Sequence, residues 1–195
     1  MKLVLATKNR NKVRELKALL EGLDVEVLTL DDFPNLIPPP EDGGTFKENA
    51  LIKARWAASE TGLPALADDS GLEVDFLGGR PGVFSARYAG PDADDRKNYL
   101  KLLEEMRGVE EGMRKARFKC VLAFVTPEGE EHLFCGTLEG SIAERPSGNE
   151  GFGYDPVFLV GESKKTAAEL TPAEKNAISH RSRAFKKFKE WLGGR

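Results

Sequence analysis

Apolar positions divide the chain into short blocks of contrasting period. Leu3, Val4, Leu5 and Ala6 are a continuous apolar run, which reads as a buried strand over Lys2–Ala6. Val13, Leu16, Leu19, Leu20 and Leu23 then recur at helical spacing, with Asn9 or Asn11 as the cap and Gly22 near the stop. Val25–Leu28 reads as a second strand. Residues 31–44 are rich in proline and glycine, and unstructured segments of that length are uncommon unless they serve function. Thr45-Phe46-Lys47-Glu48 spells a capping box, which predicts a helix to about Thr61 with Gly62 past its end. Pro64–Ala67 reads as a short strand ending at Asp68-Asp69-Ser70-Gly71, and Gly78–Pro91 is turn-rich. Tyr99, Leu102, Leu103 and Met106 mark another helix, started by Asp94 and Asp95. Arg117–Thr126 and Glu131–Thr137 read as a hairpin around Pro127-Glu128-Gly129. A glycine-rich loop, Ser147–Asp155, leads into an apolar strand over Pro156–Val160. Thr171-Pro172-Ala173-Glu174 combines a capping box with proline at the first helical position, which predicts a last helix to about Leu192. A βαβ start, a helix and then a hairpin predict a mixed α/β fold rather than a purely parallel one.

Composition narrows the function classes. A chain of 195 residues can bury a large core and is expected to form a single domain over 1–195, or two closely joined lobes. A net charge of -3 argues against broad nucleic-acid binding, which usually shows as an excess of Lys and Arg. No stretch approaches the roughly 20 apolar residues of a membrane helix. The first apolar run is too short for a signal peptide, so no membrane partner and a cytoplasmic location are expected. Cys120 and Cys135 lack CxxC spacing and lie in strand-like segments, which predicts two buried reduced thiols.

Six places carry candidate chemistry. Thr7-Lys8-Asn9-Arg10-Asn11-Lys12 lies where a strand gives way to a helix, so free N–H groups and the dipole favour phosphate there. It is not a Walker loop, because GxxxxGK[ST] is absent. Lys53 falls on the helical face shared by Phe46, Ala50 and Ala57, and an inward ammonium needs an acidic partner or a bound anion. Asp68 and Asp69 should point to opposite faces of their strand, so one is expected to enter a site as metal ligand or base. Glu41 in the proline-rich loop gains interest only if that loop folds over a metal. Phe152 and Tyr154 stand between glycines, where aromatics can serve as stacking platforms for a base. On the last helix, Ala177, Ile178, Arg181, Ala184, Phe185 and Phe188 share a stripe with a cation inside it; His180 lies off the stripe. The inventory suits a nucleotide with a metal-bound polyphosphate. No Cys–His or Ser–His pair suggests a covalent nucleophile, so a metal-activated water is the simpler attacking group.

In this arrangement the chain resembles the inosine/xanthosine triphosphate pyrophosphatases. The resemblance rests on Thr7-x-Asn9-x-x-Lys12, Thr45-Phe46-x-Glu48-Asn49-Ala50 with Lys53, Ala67-Asp68-Asp69-Ser70-Gly71-Leu72, Pro81-Gly82-Val83-x-Ser85-Ala86-Arg87-Tyr88, Gly151-Phe152-Gly153-Tyr154-Asp155-Pro156 and Ser179-His180-Arg181. It implies an elongated two-lobed α/β fold with the substrate in a cleft, usually as a homodimer. It also implies Mg²⁺ and cleavage of non-standard purine nucleoside triphosphates to monophosphate and pyrophosphate. Carried over, Thr7 to Lys12 and Lys53 would hold the triphosphate and Ser70 would touch it. Glu41 and Asp69 would lie near the metal, with Asp69 as the general base. Phe152, Gly153, Tyr154, Asp155, Lys175, His180 and Arg181 would hold base and sugar. The division of roles between Asp68 and Asp69 stays open.

Overall fold

The computed structural model describes residues 1–194. Six strands make one mixed sheet in the order β2-β1-β3-β4-β5-β6. They are β1 (Lys2–Leu5), β2 (Glu26–Thr29), β3 (Ala65–Val74), β4 (Lys115–Val125), β5 (Glu131–Ile142) and β6 (Phe158–Val160). β1 pairs parallel with β2 and with β3, whereas β5 and β6 are antiparallel. The helices are α1 (Arg10–Leu20), α2 (Phe46–Thr61), α3 (Asp95–Glu105), α4 (Pro172–Ile178) and α5 (His180–Gly193). The chain divides into two compact units, one of residues 1–69, 120–136 and 182–195, the other of residues 70–119 and 137–181.

In the first unit the period-2 alternation of β1 sorts the core. Leu3 and Leu5 join Leu16 and Leu20 of α1 and Phe185 and Phe188 of α5 in one cluster. Val4 and Ala6 face the other way, into a cluster with Ala50, Ala54, Ala57 and Ala58 of α2. Alanines let α2 approach the sheet closely, while the leucines and phenylalanines opposite each contribute about 1.5–3 kcal/mol of burial. Phe46, Ala50, Lys53 and Ala57 are all buried, so the face read from the sequence is the inward one. Asn9, not Asn11, caps α1 through its side chain. Thr45 caps α2, but Glu48 bonds the Gly44 N–H rather than that of Thr45, so the predicted capping box is only half made.

The second unit packs α3 against the far halves of β3 to β5, around Leu72, Val74, Leu102, Met106, Phe118 and Phe158. Arg114 is buried among these elements. Its guanidinium donates to the carbonyls of Ile142 (2.7 Å), Met106 (2.8 Å), Val109 (3.1 Å) and Ala143 (2.9 Å), fastening the end of β5 to the exit of α3.

Four expectations are corrected. Asp68-Asp69-Ser70-Gly71 does not end a strand: β3 runs on to Val74, and the two aspartates sit in mid-strand, each with a lysine ammonium beside its carboxylate. The hairpin strands likewise extend beyond the predicted limits. The last helix is two helices, broken at Ser179, whose ψ of 156° is extended. The predicted stripe therefore holds in α5, where Arg181, Ala184, Phe185 and Phe188 are buried, but not in α4, where Ala177 is exposed. Cys120 is buried as expected, but Cys135 is exposed because it lies on the outward face of β5.

Candidate active site

The first cluster lies within the first unit, on the successive faces of β3. Asp68 shares the parity of Leu66 and turns toward α1; Asp69 shares that of Ala65 and Ala67 and turns toward α2. Lys12 Nζ stands 3.0 Å from Asp68 Oδ1. Lys53 Nζ donates to the Asp68 carbonyl at 2.7 Å and reaches Asp69 Oδ1 at 3.4 Å and Glu41 Oε2 at 3.2 Å. Both lysines and both aspartates are thus largely withdrawn from water, while the Glu41 side chain is 42% exposed.

Electrostatics set the protonation states. Burial pushes the Asp69 carboxyl up from 3.8 to about 6, against the pull of Lys53 and Lys12, with Glu41 and Asp68 adding to the rise. Lys53 is desolvated too, but Asp69, Asp68 and Glu41 more than offset that and hold its ammonium above the ordinary lysine value. Asp69 Oδ1 faces Lys53, whereas Oδ2 is buried and has no hydrogen-bond partner among the described residues. An orphaned buried carboxylate oxygen is costly and suits a site that takes a proton or a cation.

Glu41 is placed by a clip that sequence reasoning missed. Asn49, itself buried one turn before Lys53, accepts the Gly43 N–H at 2.8 Å, and Glu48 accepts that of Gly44 at 2.7 Å. A Cβ on Gly43 would lie 2.7 Å from Asn49 Oδ1 and 2.8 Å from Glu48 Cβ, so only glycine admits this approach. The signal was available, since Asn49 precedes Lys53 by one turn on the same apolar face.

The Thr7–Lys12 segment is less open than expected. Asn9 Oδ1 already accepts the N–H groups of Asn11 and Lys12, and Thr7 Oγ1 accepts that of Asn9. Asn11 Oδ1 in turn accepts from Arg14 at 2.8 Å. Lys8 and Arg10 are exposed and, with Arg14 and Lys17, line a cavity of about 590 Å³ whose lining does not include Lys12, Lys53 or Asp69.

A second cluster lies within the other unit. Lys175 Nζ is 2.7 Å from Asp155 Oδ2 and 4.6 Å from the centre of the Phe152 ring. Asp155 also accepts the Phe152 N–H, and a Cβ on Gly151 would strike Asp155 Oδ2 at 2.1 Å, which explains that glycine. Arg181 lies 5.8 Å from the same ring and donates to Ser70 Oγ at 2.9 Å. The half-buried Phe152 ring is therefore held beside two cations. Tyr154 is buried, with its hydroxyl donated to the Ser85 carbonyl, and Gly153 N–H is bonded to Asp95. The sequence pattern marked Asp95 only as a helix start, with no sign of its contact with Gly153. His180, expected off the apolar stripe, is buried and stacked on Phe118 at 4.9 Å. His180 opens α5 four residues before the buried Ala184, so it lies at the edge of the buried stripe rather than off it.

Among the described residues no group of three or more His, Cys, Asp or Glu side chains converges as a metal site. Glu41 and Asp69, both on Lys53, are the pair whose chemistry fits a hard cation: two carboxylates, one with a buried orphaned oxygen. Among the described residues no helix is long and apolar enough to cross a membrane.

Comparison with known proteins gives a consistent picture. The family model described as Ham1 family matches residues 3–191. The chain is 52% identical over 192 residues to a dITP/XTP pyrophosphatase of Geobacter sulfurreducens, covering 98% of this chain and 96% of that one. It is 54% identical to a dITP/XTP pyrophosphatase of Vibrio parahaemolyticus, covering 95% and 93% respectively. A solved HAM1 protein from Coxiella burnetii superposes with a TM-score of 0.92 at 44% identity, each chain covered in full. The chain belongs to the Ham1 family.

Proposed function

We propose that this protein hydrolyses non-standard purine nucleoside triphosphates, such as dITP, ITP and XTP, to the nucleoside monophosphate and pyrophosphate. Its full-length relatives named dITP/XTP pyrophosphatase support the substrate class. The observation that carries the reading is the convergence of Glu41 and Asp69 on Lys53, with one Asp69 oxygen left over. Lys12 and Lys53 are assigned to the polyphosphate, and Ser70 with it. Phe152, Lys175, Asp155, His180 and Arg181 are assigned to the base and sugar.

Glu41 and Asp69 would hold Mg²⁺, which when bound neutralises phosphate charge and acidifies a water. Asp69 takes the proton from the attacking water as general base. Lys53 stays an ammonium beside it and meets negative charge that builds on the leaving pyrophosphate. One P–O bond forms to the water oxygen and the bond between the α-phosphorus and the bridging oxygen breaks. The test is release of pyrophosphate from ITP with and without Mg²⁺, in wild type and Asp69→Asn. Loss of a general base costs roughly 10²–10⁴-fold. Turnover by Asp69→Asn at the wild-type rate would remove Asp69 from the chemistry.

A cytoplasmic location and a homodimer, both drawn from the resemblance and the composition, belong to the same proposal.

A further inference from the structure

Asp68 has no part in the chemistry assigned above, yet it is the most completely buried acid of the cluster. Its residue is 0% exposed, in mid-strand between Ala67 and Asp69. An ionised carboxylate in that place carries a large desolvation cost. A fold that needed only packing there would be served better by leucine.

What Asp68 does can be read from its partners. Oδ1 stands 3.0 Å from Lys12 Nζ, on α1. The main-chain carbonyl accepts from Lys53 Nζ at 2.7 Å, on α2. The Cys120 thiol approaches Oδ2 at 3.8 Å from β4, consistent with a weak S–H donor holding the carboxylate plane. One residue therefore touches both lysines, Lys12 through its carboxylate and Lys53 through its main-chain carbonyl. Lys12 is otherwise a long flexible side chain, with rotamer entropy to lose on gripping an anion. A fixed counter-charge removes that freedom before substrate arrives, which is preorganisation.

We infer that Asp68 is a positioning residue that acts through Lys12, fixing its ammonium at a set distance from Lys53 so that the two receive adjacent phosphates. This rests on the polyphosphate reading of the two lysines. The role differs from the one proposed for Asp69, which is to take the proton of the attacking water.

The test is a double-mutant cycle read by calorimetric binding of inorganic tripolyphosphate with Mg²⁺, using wild type, Lys12→Met, Asp68→Asn and the double variant. Lys12→Met weakens binding by about tenfold or more in wild type. In the Asp68→Asn background the same change costs less than about twofold, because an unheld Lys12 contributes little. In turnover, Asp68→Asn lowers kcat by up to about 10²-fold, the scale of an ångström's misplacement. A merely structural Asp68 would lower thermal stability and leave the Lys12→Met penalty unchanged. An equal penalty in both backgrounds overturns the inference. Where Asp68→Asn does not fold, Lys12→Met/Asp68→Leu replaces the buried pair by apolar groups of similar volume, a change that is often neutral. Binding equal to that of Lys12→Met alone supports action through Lys12; weaker binding overturns it. Wild type that binds no tripolyphosphate overturns the polyphosphate reading and this inference together, whereas failure of the cycle alone leaves that reading standing.

Discussion

Asp69→Asn is expected to inactivate the enzyme and at the same time to stabilise the metal-free protein at neutral pH. Burial raises the Asp69 carboxyl from 3.8 to about 6, so the fold favours its neutral form. The sign follows from proton binding. Below 3.8 folded and unfolded chains both hold the proton, and Asp69 makes no difference. Between 3.8 and about 6 the folded protein keeps a proton that the unfolded chain gives up, so stability falls as pH rises through that window. Above 6 both are ionised and the full penalty remains. A displacement from 3.8 to about 6 corresponds to about 3 kcal/mol. Asparagine resembles the neutral acid, so the substitution relieves this penalty at pH 8 and gains nothing near pH 4. For a chain of this size about 3 kcal/mol is roughly 6–12 °C in Tm. The assay is thermal unfolding of wild type and Asp69→Asn in chelator, across pH 4 to 8. A variant no more stable than wild type at pH 8, or a gain independent of pH, would refute the reasoning. Catalytic groups commonly sit at such a cost to the fold.

Other outcomes follow from single contacts. Arg114→Ala should destabilise by about 3 kcal/mol or more, because four carbonyls, three of them in buried hydrogen bonds, lose a charged donor, while specific activity per folded molecule is retained; denaturant melts and active-site titration check both. Asn49→Ala or Gly43→Ala should release the loop that presents Glu41 and raise the Mg²⁺ concentration needed for half-maximal activity, with little change in nucleotide affinity; an unchanged metal titration would contradict the clip. Arg181→Ala should lower the ratio of kcat/KM for ITP over ATP, since a fixed donor pairs with the 6-oxo group and not with an amino group. Equal loss on both substrates would mean that Arg181, already bonded to Ser70, only positions the nucleotide.

How much of this the sequence disclosed depends on which force decided each element. Where burial follows local periodicity, as in Phe46, Ala50, Lys53 and Ala57, the pattern was legible and gave both a helix face and a buried cation. The alternation of Asp68 and Asp69 was legible too, and the structure sends their carboxylates to different lysines. Their strand was read short because Asp-Asp-Ser-Gly has turn composition, and only distant partners on α1 and α2 make it tolerable inside a sheet. The break at Ser179 was hidden by helical spacing that continues across it, although serine is a good residue for a helix junction. The Gly43–Asn49 clip was within reach of pattern reading. Asp95 meeting Gly153 was not, for it is a contact between loop and helix start that no local period records.

The central claim is the reaction itself, and product analysis over a panel of nucleoside triphosphates tests it most directly. Purified protein with Mg²⁺ is incubated with dITP, ITP, XTP, ATP, GTP and CTP, and monophosphate, diphosphate, pyrophosphate and orthophosphate are separated and quantified. The expected result is equimolar monophosphate and pyrophosphate from dITP, ITP and XTP, at a kcat/KM orders of magnitude above that for ATP. Orthophosphate with diphosphate as the primary products, or equal efficiency on ATP, would contradict it.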